Sequence, residues 1–230
     1  MNNSVNPSFW IVIPASGIGS RMLADKPKQY LTINDQPILQ ITINQLAKLN
    51  SAGVVVAINE HDVYFDSLKI DANTQRCVGG KERVDSVLNA LKHIKQHDHS
   101  NSWVLVHDAA RPCVDLNDIQ TLITHCSNTQ HGAILANKVV DTLKRKQNNK
   151  ISTIDRSDIW QAQTPQCFRI NDLLLAIETG LKNQLNITDE ASAMEAMGFD
   201  FDLIESKRSN IKITQPEDLA LAQFFLSLQT

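Results

Sequence analysis

Paired cysteines are missing from this sequence. Cys77, Cys113, Cys126 and Cys167 are widely spaced and no CxxC occurs, which speaks against a zinc knuckle or a redox motif. Reduced thiols of a cytoplasmic protein are the expectation. A basic excess is missing too. The 230 residues carry 22 Lys and Arg against 25 Asp and Glu, a formal net charge of -3. No global positive field exists to hold nucleic acid or an acidic membrane, so neither is expected as a partner. An anionic ligand would need a local cluster of Arg and Lys. No apolar run approaches the ~20 residues of a membrane span. Met1 to Ser8 is polar and lacks a basic stretch leading into an apolar one. What remains is an ordinary globular composition, long enough for one large domain or a domain with a small appendage.

Short continuous apolar runs come first. Phe9 to Ile13 (FWIVI) reads as a strand buried on both faces and stopped by Pro14. Gly53 to Ile58, Trp103 to His107 and Gly132 to Ala136 read the same way, with Gln75 to Val78 a weaker candidate. Helical spacing lies between them, over Ile38 to Leu49, Val84 to Ile94 and Leu116 to Cys126. Strands alternating with helices predict an α/β fold, a mainly parallel sheet covered on both sides. The alternation breaks near Val139. Asp141 to Lys146 and Lys150 to Asp155 flank a polar tip, Gln147-Asn148-Asn149, and read as an exposed hairpin. Helices return at Arg169 to Lys182 and Thr188 to Met197, then strand-like Asp200 to Glu205 and Ile211 to Thr214. Thr214 and Glu217 have capping-box spacing around Pro216, which predicts the start of a last helix.

The loop after the first strand, Pro14-Ala15-Ser16-Gly17-Ile18-Gly19-Ser20-Arg21-Met22, is small and glycine-containing. Such a backbone can approach a ligand closely and turn its N–H groups toward an anion. Arg21 and Lys28 add two cations to the same segment. At the carboxyl end of a parallel strand this suggests polyphosphate, although a glycine-rich turn with solvated charges has the same pattern. Two named loops do not fit: the dinucleotide fingerprint lacks its third glycine, and no GKS or GKT precedes a helix.

Gly79-Gly80-Lys81-Glu82-Arg83-Val84-Asp85-Ser86 lies between a strand and a helix, where the glycines could meet a base edge and Ser86 could donate or accept. His107-Asp108-Ala109-Ala110-Arg111-Pro112 leaves a buried strand, so Asp108 and Arg111 read as ligand contacts. Alternatives are bland: a turn, a surface ion pair, a capping Asp. Lys212 sits between apolar neighbours in Asn210-Ile211-Lys212-Ile213-Thr214. His97-Asp98-His99 has the look of a metal pair but reads as a solvated loop. His107 reads as a satisfied polar group, Trp160 and Gln161 as local support, and Glu190 and Glu195 as facing solvent on a helix.

In order along the chain, PASGIGSRM, PKQYL, GGKERVDSV, VHDAARPC, DTLKR, DR, TPQ, TDEASAME and NIKIT resemble the 2-C-methyl-D-erythritol 4-phosphate cytidylyltransferase family, from Trp10 to about Phe225. Ser16 departs from the usual Ala, and Ser20 from an often basic residue. The resemblance implies a Rossmann-like three-layer α/β/α fold in a single nucleotidyltransferase domain, 1–230. A protruding arm at about 138–157 would serve dimerisation. It implies cytidylyl transfer from CTP to methylerythritol phosphate, with Arg21 and Lys28 as the catalytic cations. CTP would contact Pro14, Ala15, Ser16, Gly17, Gly19, Gly80, Lys81, Ser86 and Asp108. The acceptor would contact Asp108, Ala109, Arg111, Thr188 and Lys212. Thr142 and Arg156 would come from a partner's arm, making a homodimer with shared sites. Mg²⁺ or another divalent cation is expected mainly on the CTP phosphates, with Asp108 a second candidate ligand. Two other functions fit parts of the pattern: a relative acting on another polyol phosphate such as ribitol 5-phosphate, and a non-catalytic nucleotide-binding module.

Overall fold

The computed structural model describes residues 8–17 and 26–229. Strand β1 (Phe9–Pro14) carries apolar side chains to both faces because the sheet is covered on both faces. Phe9, Ile11 and Ile13 enter one core and Trp10 and Val12 the other. It pairs in parallel with β4 (Gly53–Ile58) and β6 (Trp103–Val106). Two minor strands, β2 (Thr32–Ile33) and β3 (Gln36–Pro37), make a separate small hairpin.

The first core takes α1 (Ile38–Leu46) and α3 (Leu116–Thr129), and the second takes α2 (Arg83–Lys95), α4 (Ile170–Lys182) and α5 (Glu190–Ala196). The layers are therefore helix, sheet, helix, as the alternation predicts. A third apolar cluster packs α6 (Glu217–Ser227) against Ile33, Ile38, Ala110 and Ile213.

The central sheet has seven strands in the order β11-β7-β10-β6-β1-β4-β5. β5 (Thr74–Val78) and β11 (Phe201–Glu205) lie at its edges, and their polar, half-exposed sequences explain the weaker strand signal. β10 (Trp160–Arg169) is inserted antiparallel between β6 and β7 (Gly132–Lys138). Periodicity does not find it, because its first half is polar and Pro165 interrupts it. The register explains the proline. Ala162 faces Ala136 and Gln166 faces Ile134, so residues 163–165 bulge out opposite Leu135. Trp160 and Gln161 are thus paired strand residues, opposite Lys138 and Asn137.

The exposed hairpin is present as β8 (Leu143–Gln147) and β9 (Lys150–Ile154). Its turn is two residues rather than three, since Gln147 pairs with Lys150. Asn148 and Asn149 take φ of 48° and 61°, the left-handed pair that a tight hairpin requires. Two local expectations fail near the C-terminus. Residues 211–214 join no sheet; the Ile213 N–H donates to the Ala110 carbonyl at 2.9 Å instead. The capping role expected of Glu217 belongs to Asp218, whose carboxylate accepts from the N–H groups of Thr214 and Gln215 and from the Thr214 hydroxyl.

Gly132 sits where β7 crosses the buried Phe168 ring. A Cβ there would lie 2.3 Å from Phe168 Cδ1, so Gly132→Ala forces the ring into an already filled core. Overpacking of this kind costs about 1–3 kcal/mol, or roughly 2–10 °C in Tm for a chain of this size. A thermal melt unchanged by Gly132→Ala would show that the Phe168 ring has room to move.

Candidate active site

The carboxyl ends of β1 and β6 and the start of α2 enclose one cleft. It is lined by Pro14, Ala15, Ser16 and Gly17 on one side, Lys28 and Gln29 behind, Lys81, Glu82 and Arg83 opposite, and Asp108, Ala109, Ala110 and Lys212 across the end. Nine of the residues singled out from sequence meet there: Pro14, Ala15, Ser16, Gly17, Lys28, Lys81, Asp108, Ala109 and Lys212. Gly19 and Arg21 lie outside the described residues.

Local hydrogen bonds fix the loop that leaves β1. Buried Gln29 donates from its amide to the Ala15 carbonyl at 2.8 Å. The Ser16 hydroxyl lies 2.6 Å from that of Ser86 and donates to the Gly80 carbonyl. Gly80 in turn donates its N–H to Ser86 Oγ at 3.0 Å. Ser86, expected as a CTP contact, is built into this arrangement. The residue is fully buried and its hydroxyl already serves Gly80, Glu82 and Ser16, so it braces two loops rather than facing the cleft. Ser16, at the position where the resembled family usually has Ala, supplies the other half of that brace. Gly79 permits the approach: a Cβ there would stand 2.7 Å from Ser16 Cβ.

Charge concentrates at Asp108. Its Oδ1 accepts from Arg83 Nε at 2.9 Å, and its Oδ2 lies 2.8 Å from Lys212 Nζ and 3.5 Å from Arg111 Nε. Burial alone would raise this carboxyl. The charges of Arg83, Lys212 and Arg111 outweigh burial and hold it well below the usual carboxylate range. Arg83 uses its remaining edge on Glu190, with contacts of 2.7 and 3.0 Å to the two carboxylate oxygens. Burial acts to lower the Arg83 guanidinium, but Glu190 and then Asp108 overcome it and keep the group firmly protonated. Glu190 is 1% exposed, which overturns the expectation that it faces solvent; Glu195 is exposed as expected. Removing one partner from such a buried pair costs about 3–5 kcal/mol, because the other charge is stranded.

Each member is delivered by a local device. Asp189 caps α5, exchanging hydrogen bonds with Ser192, and so places Glu190 in the first turn. Gln166 of β10 clamps the same helix start, bonding the Asp189 carboxylate and the Ala191 N–H. Asn210 and Ile213, both fully buried, pin the segment around Lys212. The Asn210 side-chain amide donates to Gln163 Oε1 and the Thr164 carbonyl in the β10 bulge, and the Asn210 backbone carbonyl accepts from Arg111 at 2.6 Å.

A second hollow adjoins the first and shares Lys212 with it. Arg111, Asn137, Lys138, Gln161 and Asn210 line it, together with Asp141 and Leu143 at the base of the hairpin. The remaining sequence candidates are not brought together within one chain. Thr142, Arg156 and Thr188 are exposed and line neither hollow. Arg156 folds back to donate to the Val140 carbonyl. Thr188 is engaged through its N–H with Ser192 Oγ. Asp98 ties down the loop after α2 by accepting from Trp10, Ser100 and Ser102. Among the described residues, no group of three or more His, Cys, Asp and Glu side chains is placed to hold a metal.

Comparison with known proteins is consistent along the whole chain. The family model for 2-C-methyl-D-erythritol 4-phosphate cytidylyltransferase matches residues 9–228. The enzyme of that name from Aliivibrio fischeri strain MJ11 is 48% identical over 224 residues, 95% of this chain and 94% of the relative. The one from Vibrio parahaemolyticus serotype O3:K6 is 49% identical over 221 residues, 94% of each. Among solved structures, the 2-C-methyl-D-erythritol 4-phosphate cytidylyltransferase of Francisella tularensis is 35% identical with a TM-score of 0.82, covering 95% of this chain and 99% of that one. A 4-diphosphocytidyl-2C-methyl-D-erythritol synthase is 32% identical with a TM-score of 0.83, covering 96% and 99%.

His107, beneath the site, is fully buried and satisfied on both nitrogens. The Arg111 carbonyl, 3.0 Å from Nε2, can only accept, so Nε2 carries the proton and Nδ1 accepts from the Thr164 hydroxyl at 3.2 Å. Thr164 is filled from its other side by the Asp108 N–H. Burial, opposed by the Arg111 carbonyl, pushes the imidazole down to about 4. An unfolded histidine titrates near 6.5, so between those values only the unfolded chain takes the proton. Stability from this group is therefore complete above about pH 6.5 and is lost as pH falls toward 4, about 3 kcal/mol in all. The urea midpoint should fall more steeply between pH 7 and 4.5 in the native protein than in His107→Gln. Parallel slopes would show that another group carries the acid sensitivity.

Proposed function

The chain belongs to the 2-C-methyl-D-erythritol 4-phosphate cytidylyltransferase family, and on that premise we propose how its residues divide the work. The reaction is transfer of the cytidylyl group of CTP to 2-C-methyl-D-erythritol 4-phosphate, a step of the non-mevalonate isoprenoid pathway. A phosphate oxygen of the acceptor bonds to the α-phosphorus, and the bond to pyrophosphate breaks. The acceptor is already anionic, so no strong base is needed. The obstacle is the meeting of two anions with further charge developing between them, which fixed cations relieve.

We assign the triphosphate to the loop from Pro14 to Gly19, with Lys28 and Arg21 at the α-phosphate and Gly80 and Lys81 against the base or ribose. The acceptor belongs where the cleft meets the adjoining hollow, between Asp108 and Ala109 of the cleft and Arg111 of the hollow, with Lys212 common to both; Thr188 is assigned to it from the resemblance alone. The observation that carries this division is Lys212: it lines both hollows, where a cation would meet both phosphates. Ser86 acts through the loop brace described above. A divalent cation, Mg²⁺ or another, would supply further neutralisation when bound on the nucleotide phosphates; Asp108 lines the cleft as its candidate carboxylate, and a metal there would compete with Arg83, Arg111 and Lys212 for its oxygens.

Residues 1–230 form one domain in this reading. Its arm, about 138–157, reaches a second copy and delivers Thr142 and Arg156 to that copy's acceptor. Support comes from the hairpin's exposure and from the position of its base at the second hollow. Four free thiols and the lack, among described residues, of a helix long and apolar enough to cross a membrane support a cytoplasmic setting.

Pyrophosphate release tests the assignments. Lys28→Ala should lower kcat by about 10²–10³ while changing KM for CTP far less; native turnover would remove its catalytic role. The same assay with ribitol 5-phosphate should give little product, and preferred use of that acceptor would move the chain to a different specificity. Mixing Arg21→Ala with Arg156→Ala subunits should restore activity, since one site of each mixed dimer would be intact. Verified mixed dimers without recovery would argue against the shared site.

A further inference from the structure

Arg83 is an arginine that lines the cleft yet spends three of its five N–H donors, one on each nitrogen, on carboxylates. Nε is committed to Asp108 and both terminal nitrogens to Glu190. Its charge is thus delivered to carboxylates, not to the cleft. The counter-charge it needs, Glu190, is almost wholly buried and is held by α5, which is itself clamped by Gln166. On the far side, Asp108 passes the constraint to Lys212 through its other oxygen, at 2.8 Å. The order is continuous: Glu190 holds Arg83, Arg83 fixes one oxygen of Asp108, and the second oxygen fixes Lys212.

Guanidinium geometry makes this a directional device. Its fork offers a two-nitrogen edge to Glu190 and a single Nε–H to Asp108 Oδ1, so Glu190 fixes the plane of Arg83, and Arg83 fixes one oxygen of Asp108. A carboxylate held at Oδ1 alone or Oδ2 alone could turn about its Cβ–Cγ bond; held at both it cannot. We propose that Arg83 and Glu190 are positioning residues for the cytidylyl transfer, acting through Asp108 to place Lys212 at the boundary of the two substrates. The inference rests on the roles given above to Asp108 and Lys212.

A double-mutant cycle tests it with CTP and methylerythritol phosphate as substrates. Glu190→Gln keeps the shape but faces Arg83 with an amide that can no longer take both nitrogens. It should lower kcat/KM for the acceptor by about 100-fold, the scale of a small misplacement at a reacting centre. In an Asp108→Asn background the same change should cost less than about threefold, because the carboxylate it acts through is already gone. A full second loss in that background would overturn the proposal, since Glu190 would then act independently of Asp108, as a packing residue would. Native turnover in Glu190→Gln would also overturn it. If Glu190→Gln does not melt as a folded protein, Arg83→Lys runs through the same cycle: one ammonium cannot bridge both carboxylates, and the same pattern is expected. Failure of the underlying roles has its own signature. Asp108→Asn with native turnover would remove them, and the coupling with them, whereas a crippled Asp108→Asn beside an active Glu190→Gln would remove the coupling alone.

Discussion

Three cations converge on one carboxylate in this protein, and most of the site's geometry follows from that. Arg83, Arg111 and Lys212 come from the start of a helix, a loop after a central strand and a segment near the C-terminus. Like charges so close repel one another, and the hydrogen bonds that join the Arg111 loop to the Lys212 segment do not neutralise them. Asp108, nearly buried at the end of β6, makes the convergence favourable. The cost of desolvating four charged groups is offset only because each has a partner within hydrogen-bond reach or close to it. Glu190 completes the balance, leaving the five side chains with one net positive charge. A cleft meant for anions keeps a modest surplus of positive charge.

The fold serves this convergence through one irregular strand. β10 runs against its neighbours, and its bulge gives up ladder pairing for three residues. Those residues are then free to reach sideways. Thr164 accepts from the Asp108 N–H and bonds His107, Gln163 takes the amide of Asn210, and Gln166 just beyond grips the start of α5. A regular strand could present such side chains only to its two faces. The proline and the polar run that disqualify this stretch as an ordinary central strand are what let it join four parts of the site.

The parallel strands were legible because each buries both faces and shows it as an unbroken apolar run: FWIVI, GVVVAI and WVLV need no tertiary information. β10 was not legible, since its partners supply the burial that its own residues do not advertise. Within the site, the loops from β1 and β6 and the Lys212 segment could be found by their small, cationic or apolar-flanked character. Glu190 could not be told from Glu195, as both look like acids on a short helix; only packing separates the buried one from the exposed one. Arg83 carries a subtler signal. It is the first residue of a helix, where the helix dipole disfavours a cation. A local preference broken in this way points to a counter-charge elsewhere, here Glu190 and Asp108. At Ser86 the sequence suggests a ligand contact, a hydroxyl beside two glycines, but not the internal bond by which a neighbouring loop claims that hydroxyl.

That claim, the hydroxyl bridge from Ser16 to Ser86 and Gly80, has an entropic side. A glycine-containing loop left loose would have to surrender its conformational freedom each time a ligand arrived, at about 1–2 kcal/mol for each residue newly fixed. Between Ala15, held by Gln29, and Ser16, held by Ser86, the first turn of this loop is ordered by the protein's own folding. The ordering cost for these residues is met once per molecule rather than once per turnover, so a nucleotide meets a surface whose first backbone groups are already in place.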